Sequence, residues 1–178
     1  ATTTDIILNG STIACAGSSA VLSATSPSVT NPVFTWYSDA ALTNVSFIGA
    51  TFTTPPLTAT TTYYVTVKGD NKCENAPGTA RVVTINVSPV ATAADVATAD
   101  ARICSGAGTT LVASTTTVTN PVFTWYNDAA LTSIAYVGAS FAMPALTATT
   151  NYYVTVKGDN KCENSSITAK VVMVTVNE

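Results

Sequence analysis

The sequence predicts an all-β protein made of two similar domains, and three observations lead to this prediction. Residues 58–75 return as residues 147–164, with 17 of 18 positions identical. Two cysteines and one tryptophan recur at a constant spacing of 89 residues. Short apolar alternations separated by turn residues run throughout, and no apolar period of 3.6 residues persists. The chain of 178 residues is therefore expected to divide into residues 1–88 and residues 89–178, each near the size of a small β-sandwich.

The strands of the first repeat follow from its alternation of apolar and polar residues. Residues 62–68 form the clearest strand, because Tyr63, Val65 and Val67 share one face. A short strand stops before Pro55, since proline cannot donate to a β-ladder. About seven strands per repeat are expected, and in the first repeat they are residues 5–8, 20–25, 33–37, 45–48, 52–54, 62–68 and 79–87. Two antiparallel sheets packed face to face would bury this pattern.

Two aromatic residues favour an immunoglobulin-like version of that sandwich. Trp36 falls on a central strand, and Tyr63 falls on a late one. Leu57 precedes Tyr63 by six residues, a spacing that suits a tyrosine corner, in which the hydroxyl bonds to upstream backbone. The predicted fold is thus two tandem immunoglobulin-like β-sandwiches.

The composition argues against catalysis and against nucleic acid as a partner. Only 10% of residues are charged, the net charge is −3, and histidine is absent. A surface that binds nucleic acid needs a cationic face. A Ser-His-Asp catalytic triad or a Cys-His catalytic dyad needs histidine. The carboxylates of Asp39, Asp70 and Glu74 lie in turn-like segments that recur in the second repeat. We therefore expect no catalytic residue and no cofactor, and no apolar stretch is long enough to span a membrane.

Four cysteines fall as two per repeat, 58 residues apart in each. The repeat favours the pairs Cys15–Cys73 and Cys104–Cys162 among the three possible connectivities, and four free thiols are the alternative. Zinc is disfavoured, because no C-x-x-C motif and no histidine occur. Each bridge would tie loops at one end of its sandwich and stabilise it by roughly 4 kcal/mol. Disulfides would also place the protein in an oxidising compartment, outside the cytosol.

The turn at residues 68–75 offers Asp, Asn and Glu oxygens, which calcium accepts as ligands. Two flanking lysines make this a weak cage, so we expect a hairpin turn with local ion pairing and no metal site.

Four tyrosines are candidates for a surface contact. Tyr37 and Tyr64 should lie on the outer face, if Trp36 and Tyr63 point inward, and Tyr126 and Tyr153 repeat the arrangement. Such a pair could stabilise the sheet as cross-strand neighbours. It could also contact a protein or stack against a sugar.

The amino-terminal segment is a candidate for exchange between molecules. Residues 1–9 are more apolar than their counterpart in the second repeat. Asp5, Ile6, Ile7 and Leu8 could add a strand to the edge of a neighbouring subunit.

The landmarks of both repeats together resemble one family, the immunoglobulin-like repeat of secreted and cell-surface proteins of Bacteroidota, including large adhesins. The residues that carry the resemblance in the first repeat are Cys15, Ala16, Gly17, Val21, Leu22, Ser23, Ala24, Trp36, Tyr37, Asp39, Ala40, Ala41, Gly49, Phe52, Pro55, Leu57, Thr60, Thr61, Thr62, Tyr63, Tyr64, Val65 and Cys73. The resemblance implies an extracellular, non-catalytic building block that is commonly repeated.

These observations lead to two hypotheses of function. The first is a structural or adhesive role, either as the subunit of a self-assembling surface fibre or as a section of an adhesin stalk. The partners would then be further copies, neighbouring repeats, a glycan or a cell-surface protein. The alternative is a carbohydrate-binding accessory module of a secreted enzyme, which requires the tyrosine pair to be exposed and flat.

Overall fold

The structure, a computed structural model, describes all 178 residues and divides into two units, Ala1–Ser88 and Pro89–Glu178. Regular structure is almost entirely β, and the only helical elements are the 3-10 turns Thr3–Asp5 and Ala93–Asp95. The predicted all-β class is confirmed. No helix has the length and apolar character needed to cross a membrane.

The first domain contains eight strands in two sheets. They are β1 (Ile7–Gly10), β2 (Ile13–Cys15), β3 (Val21–Thr25), β4 (Val33–Tyr37), β5 (Val45–Ile48), β6 (Thr51–Thr53), β7 (Thr61–Lys68) and β8 (Arg81–Ser88). One sheet has the order β1-β3-β6 and the other has the order β2-β8-β7-β4-β5. Their inward side chains form one apolar core.

The second domain repeats this plan with seven strands. They are β9 (Ala101–Cys104), β10 (Thr110–Val112), β11 (Val122–Tyr126), β12 (Ile134–Val137), β13 (Ser140–Ala142), β14 (Thr150–Lys157) and β15 (Lys170–Asn177). The sheets have the orders β10-β13 and β12-β11-β14-β15-β9, and they enclose a separate core. The second domain has no strand that corresponds to β1. In its place, a single antiparallel bridge joins Ala97 to Ser114.

The tryptophan of each repeat is fully buried, as the pattern predicts. In the first domain the Trp36 Nε1–H donates to the carbonyl of Gly49 at 2.9 Å. The Phe52 ring lies 5.3 Å from the Trp36 ring and 5.1 Å, edge-on, from the Tyr63 ring. The predicted tyrosine corner does not form: the Tyr63 hydroxyl makes no hydrogen bond, and the backbone groups of Leu57 pair instead with Gly17 and Ser18.

One strand pairing in each domain is parallel. The short strand β2 runs parallel to β8, with Ile13 opposite Asn86 and Cys15 opposite Ser88. The pair β9 and β15 repeats the arrangement, with Cys104 opposite Asn177. The first cysteine of each repeat therefore lies at the end where the last strand of its domain finishes.

Candidate functional site

Residues 69–75, the segment after β7, fold back over the outer face of β4 and β7. Asn75 fixes this path, because its Oδ1 accepts from the Val67 N–H at 2.9 Å and its Nδ2 donates to the Thr79 carbonyl at 2.7 Å. The Asn75 side chain is buried. The segment is therefore a cover over the sheet, and we refer to it as the cover segment.

Glu74 of the cover segment accepts two hydroxyl groups from the sheet below it. The Tyr37 hydroxyl donates to Glu74 Oε1 at 3.0 Å, and the Thr66 hydroxyl donates to the same oxygen at 2.5 Å. Burial, followed by the hydrogen bond to Glu74, raises the pKa of the Tyr37 hydroxyl above its usual value. The second domain repeats the network around Glu163, at 3.2 Å from Tyr126 and 2.6 Å from Thr155.

This cover corrects the expectation of an exposed tyrosine pair. Tyr37 lies opposite Tyr64 in the β4–β7 register, so the two side chains are neighbours. However, Tyr37 is only 9% exposed and its counterpart Tyr126 is 8% exposed. Tyr64 and Tyr153 are half-buried. The prediction was wrong on exposure, because the cover segment lies over the face that alternation alone directs to solvent.

We expect Tyr37→Phe to lower the free energy of unfolding of the first domain by about 1–2 kcal/mol, because it removes a hydrogen bond to a charged acceptor. Chemical denaturation measures this change. Tyr64→Phe is the matched control, since no hydrogen bond of the Tyr64 hydroxyl is present. An equal effect of both variants would contradict a stabilising role for the Glu74 contact.

The amino-terminal segment packs into its own domain, which does not favour the hypothesis of strand donation to a neighbour. The Asp5 carboxylate forms an ion pair with Lys72 and accepts from the Thr2 N–H at 2.8 Å and the Ser28 hydroxyl at 2.5 Å. Ile6 is buried in the core. Ile7 and Leu8 belong to β1, which pairs with β3. Donation of this strand to a neighbour would therefore require these contacts to break.

A second buried aspartate, Asp95, occupies the same place in the second domain. It accepts from the Thr92 N–H at 2.9 Å and the Thr117 hydroxyl at 2.5 Å, and Lys161 Nζ lies 2.5 Å away. Sequence reasoning missed this pair, because a constant offset of 89 aligns Asp5 with Ala94 rather than with Asp95. The signal that could have found it is T-x-x-D, the capping-box pattern that opens each 3-10 turn.

The carboxylates of Asp39 and Asp70 are held in turns. Asp39 accepts from the Asn44 N–H at 2.7 Å and from Thr43, and these hydrogen bonds hold its pKa below the usual value. Asp70 accepts from the Asn31 amide at 2.7 Å. The oxygens at residues 68–75 thus turn to different partners, and no group of three or more acidic or cysteine side chains could hold a metal.

The cysteines do not form the within-repeat bonds that the spacing favours. Cys15 and Cys162 are disulfide-bonded, whereas Cys73 and Cys104 carry free, exposed thiols. Within the first domain, Cys15 lies where β8 ends and Cys73 lies in the cover segment, near where β8 begins. The eight-residue strand β8 therefore separates Cys15 from Cys73 by roughly 20 Å. A disulfide requires Cα atoms about 4.4–6.8 Å apart.

We expect the folded protein to contain two reactive thiols per chain. Alkylation with iodoacetamide, followed by mass spectrometry of tryptic peptides, should modify Cys73 and Cys104 and leave Cys15 and Cys162 unmodified. The variants Cys73→Ser and Cys104→Ser should each lose one site. Protection of all four cysteines in the monomer would contradict the structure and restore the within-repeat pairing.

Comparison with solved structures finds other tandem immunoglobulin-like proteins. The two-domain fragment DIP-gamma IG1+IG2 is 15% identical with a TM-score of 0.38, and the match covers 98% of each chain. Murine CEACAM1b is 8% identical with a TM-score of 0.43, and the match covers 97% of this chain and 100% of that one. A chimeric titin Z1Z2 tandem is 14% identical with a TM-score of 0.35, and the match covers 97% and 100%. No curated protein matches the sequence significantly.

The sequence comparison with families gives a direct result that fits the tandem β-sandwiches described above. One family model matches twice in tandem, over residues 3–89 and residues 89–177, and thus covers almost the whole chain. The chain therefore belongs to the family described as "Ig-like domain CHU_C associated".

Proposed function

We propose that this chain is a non-catalytic structural module that works outside the cell, in a surface fibre built from copies placed in series. The observation that supports this proposal is that the cover segment makes its polar contacts within its own domain. It lies within the most faithfully repeated part of the sequence, and its polar side chains are occupied inside their own domain. Glu74 binds Tyr37 and Thr66, and Asn75 binds Val67. A repeated ligand site would instead leave such groups free.

Two further observations are consistent with this role. Tandem Ig-like domains of this family are consistent with a structural or adhesive module. The bonded Cys15 and Cys162 are typical of oxidising compartments, which supports an extracellular location.

The test is the assembly state of the native chain, measured by negative-stain imaging together with light scattering. Uniform filaments would support a fibre subunit. A strict monomer at every concentration and redox condition would contradict self-assembly.

The carbohydrate-binding alternative loses its main requirement, since Tyr37 and Tyr126 are buried. We therefore expect no glycan binding that depends on the half-buried Tyr64 and Tyr153. A glycan array probed with the parent chain and with the Tyr64→Ala, Tyr153→Ala double variant tests this expectation. Binding by the parent that disappears in the double variant would favour the carbohydrate module.

A further inference from the structure

Each repeat holds its first cysteine beside the end of its last strand. In the first domain the N–H of Ala16, next to Cys15, donates to the Ser88 carbonyl at 2.9 Å. In the second domain the N–H of Ser105, next to Cys104, donates to the Asn177 carbonyl at 2.9 Å. We call this the outgoing position, because the chain leaves the domain there.

Each repeat holds its second cysteine beside the residues with which its domain begins. The Ala1 nitrogen donates to the Cys73 carbonyl at 2.6 Å, and the Ala91 N–H donates to the Cys162 carbonyl at 2.9 Å. The Cys162 N–H also donates to the Pro89 carbonyl at 2.9 Å. We call this the incoming position.

Each domain has one disulfide-bonded cysteine and one thiol. Outgoing Cys15 lies beside Ser88 and incoming Cys162 lies beside Pro89, and both are disulfide-bonded. Incoming Cys73 and outgoing Cys104 occupy the corresponding positions of the other repeat, yet both are exposed thiols. A disulfide at either of them requires a cysteine other than Cys15 and Cys162, which are already bonded.

We propose that a second copy of this chain supplies that cysteine, so that outgoing Cys104 of one copy and incoming Cys73 of the next form an intermolecular disulfide. Every copy carries one cysteine of each kind, so the contact is head-to-tail. A head-to-tail contact that does not close into a ring generates a linear polymer. The inference rests on the proposed assembly in series and makes that assembly covalent.

The bond forms by thiol–disulfide exchange with a small-molecule or protein disulfide as the oxidant. The Cys104 thiolate attacks the oxidant and releases one reduced thiol, which leaves a mixed disulfide. The Cys73 thiolate of the next copy then attacks the Cys104 sulfur and releases the second. The two cysteines lose two electrons and two protons, which the two released thiols carry.

The experiment oxidises the purified chain with glutathione disulfide and follows it on non-reducing gels. We expect a ladder in steps of the 18.2 kDa chain mass that collapses on reduction. Tryptic digestion should yield the peptide of residues 73–81 linked to the peptide of residues 103–157. A parent chain that stays monomeric, or cross-links that join other cysteines, would overturn the proposal.

Two single variants test the direction of the contact. Cys73→Ser alone and Cys104→Ser alone should remain monomeric, because each lacks one half of the bond. An equimolar mixture should form a dimer and stop there, since the dimer retains no reactive pair. Homodimers of either variant, as abundant as the mixed dimer, would indicate non-specific oxidation and overturn the proposal. Circular dichroism of each variant checks that it is folded.

Negative-stain imaging distinguishes the failure of the intermolecular disulfide from the failure of the proposed assembly in series. Filaments of the Cys73→Ser, Cys104→Ser double variant, together with an unlinked parent chain, would overturn the disulfide and leave assembly in series intact. The absence of both ladder and filaments would overturn both.

Discussion

Replacing Trp36 with alanine is expected to lower the free energy of unfolding of the first domain by about 3–5 kcal/mol. The indole is fully buried, packs against Phe52 at a centroid distance of 5.3 Å, and donates its only N–H to the Gly49 carbonyl. The substitution therefore leaves a large cavity and an unpaired carbonyl. Trp36→Phe is the control, because it keeps an aromatic ring and should cost less.

The chain provides its own reporter for this measurement. Each domain contains a single tryptophan, so in Trp36→Ala all indole fluorescence comes from Trp125. Circular dichroism should show an early transition that fluorescence does not detect, followed by a later one seen by both probes. Trp125→Ala should reverse the assignment. A single transition at which both probes shift equally would contradict two separate cores.

The second large effect concerns the pH dependence that Asp5 imposes on stability. The ion pair with Lys72, and then the hydrogen bond from Ser28, hold the pKa of Asp5 well below its ordinary value of 3.8. A carboxyl whose pKa is lower in the folded state stabilises the fold above its unfolded pKa. That contribution is lost as the pH falls from about 3.8 through the folded pKa.

We therefore expect Asp5→Asn to lower the Tm at pH 7, and the difference from the parent chain to shrink as the pH falls below 3.8. Thermal unfolding at a series of pH values measures this difference.

Lys72→Met should lower the Tm at pH 7 by more than Asp5→Asn does, because it leaves the Asp5 carboxylate, which is only 7% exposed, without its counter-charge. Asp70→Asn, on an exposed turn, is the matched control. A Tm difference for Asp5→Asn that does not change with pH would refute the assignment.

Much of the fold could be predicted because period-2 alternation reports which face of a strand is buried. It placed Tyr63, Val65 and Val67 on the inner face of β7, where all three are buried. It could not find β2, because three residues carry too little periodicity, and because β2 pairs with β8, some 70 residues away in sequence. Long-range pairing of that kind has no local signal.

The errors at the candidate site have the same physical origin. Repetition showed that Cys15 and Cys104 are equivalent, but not that the parallel β2–β8 pair takes Cys15 away from Cys73. Alternation correctly directed Tyr37 away from the core, yet its burial depends on Glu74 and Asn75 folding back from beyond β7. The alignment at constant offset concealed Asp95, because the repeats differ by one residue between the 3-10 turn and the first cysteine.

The parallel pairing of β2 with β8 has a consequence for how a domain resists being pulled. If tension acts through the two ends of the first domain, β2 is drawn toward the end at which the chain begins and β8 toward the opposite end. Their hydrogen bonds, from Ile13–Asn86 to Cys15–Ser88, then lie across the direction of sliding. Bonds arranged in this way must break together, whereas an unzipping hairpin breaks them one at a time. Once the disulfide of Cys15 is reduced, we therefore expect the force needed to detach β2 to depend on a three-residue ladder. We also expect that pulling on the two termini unfolds the domain less readily than pulling β7 away from β8.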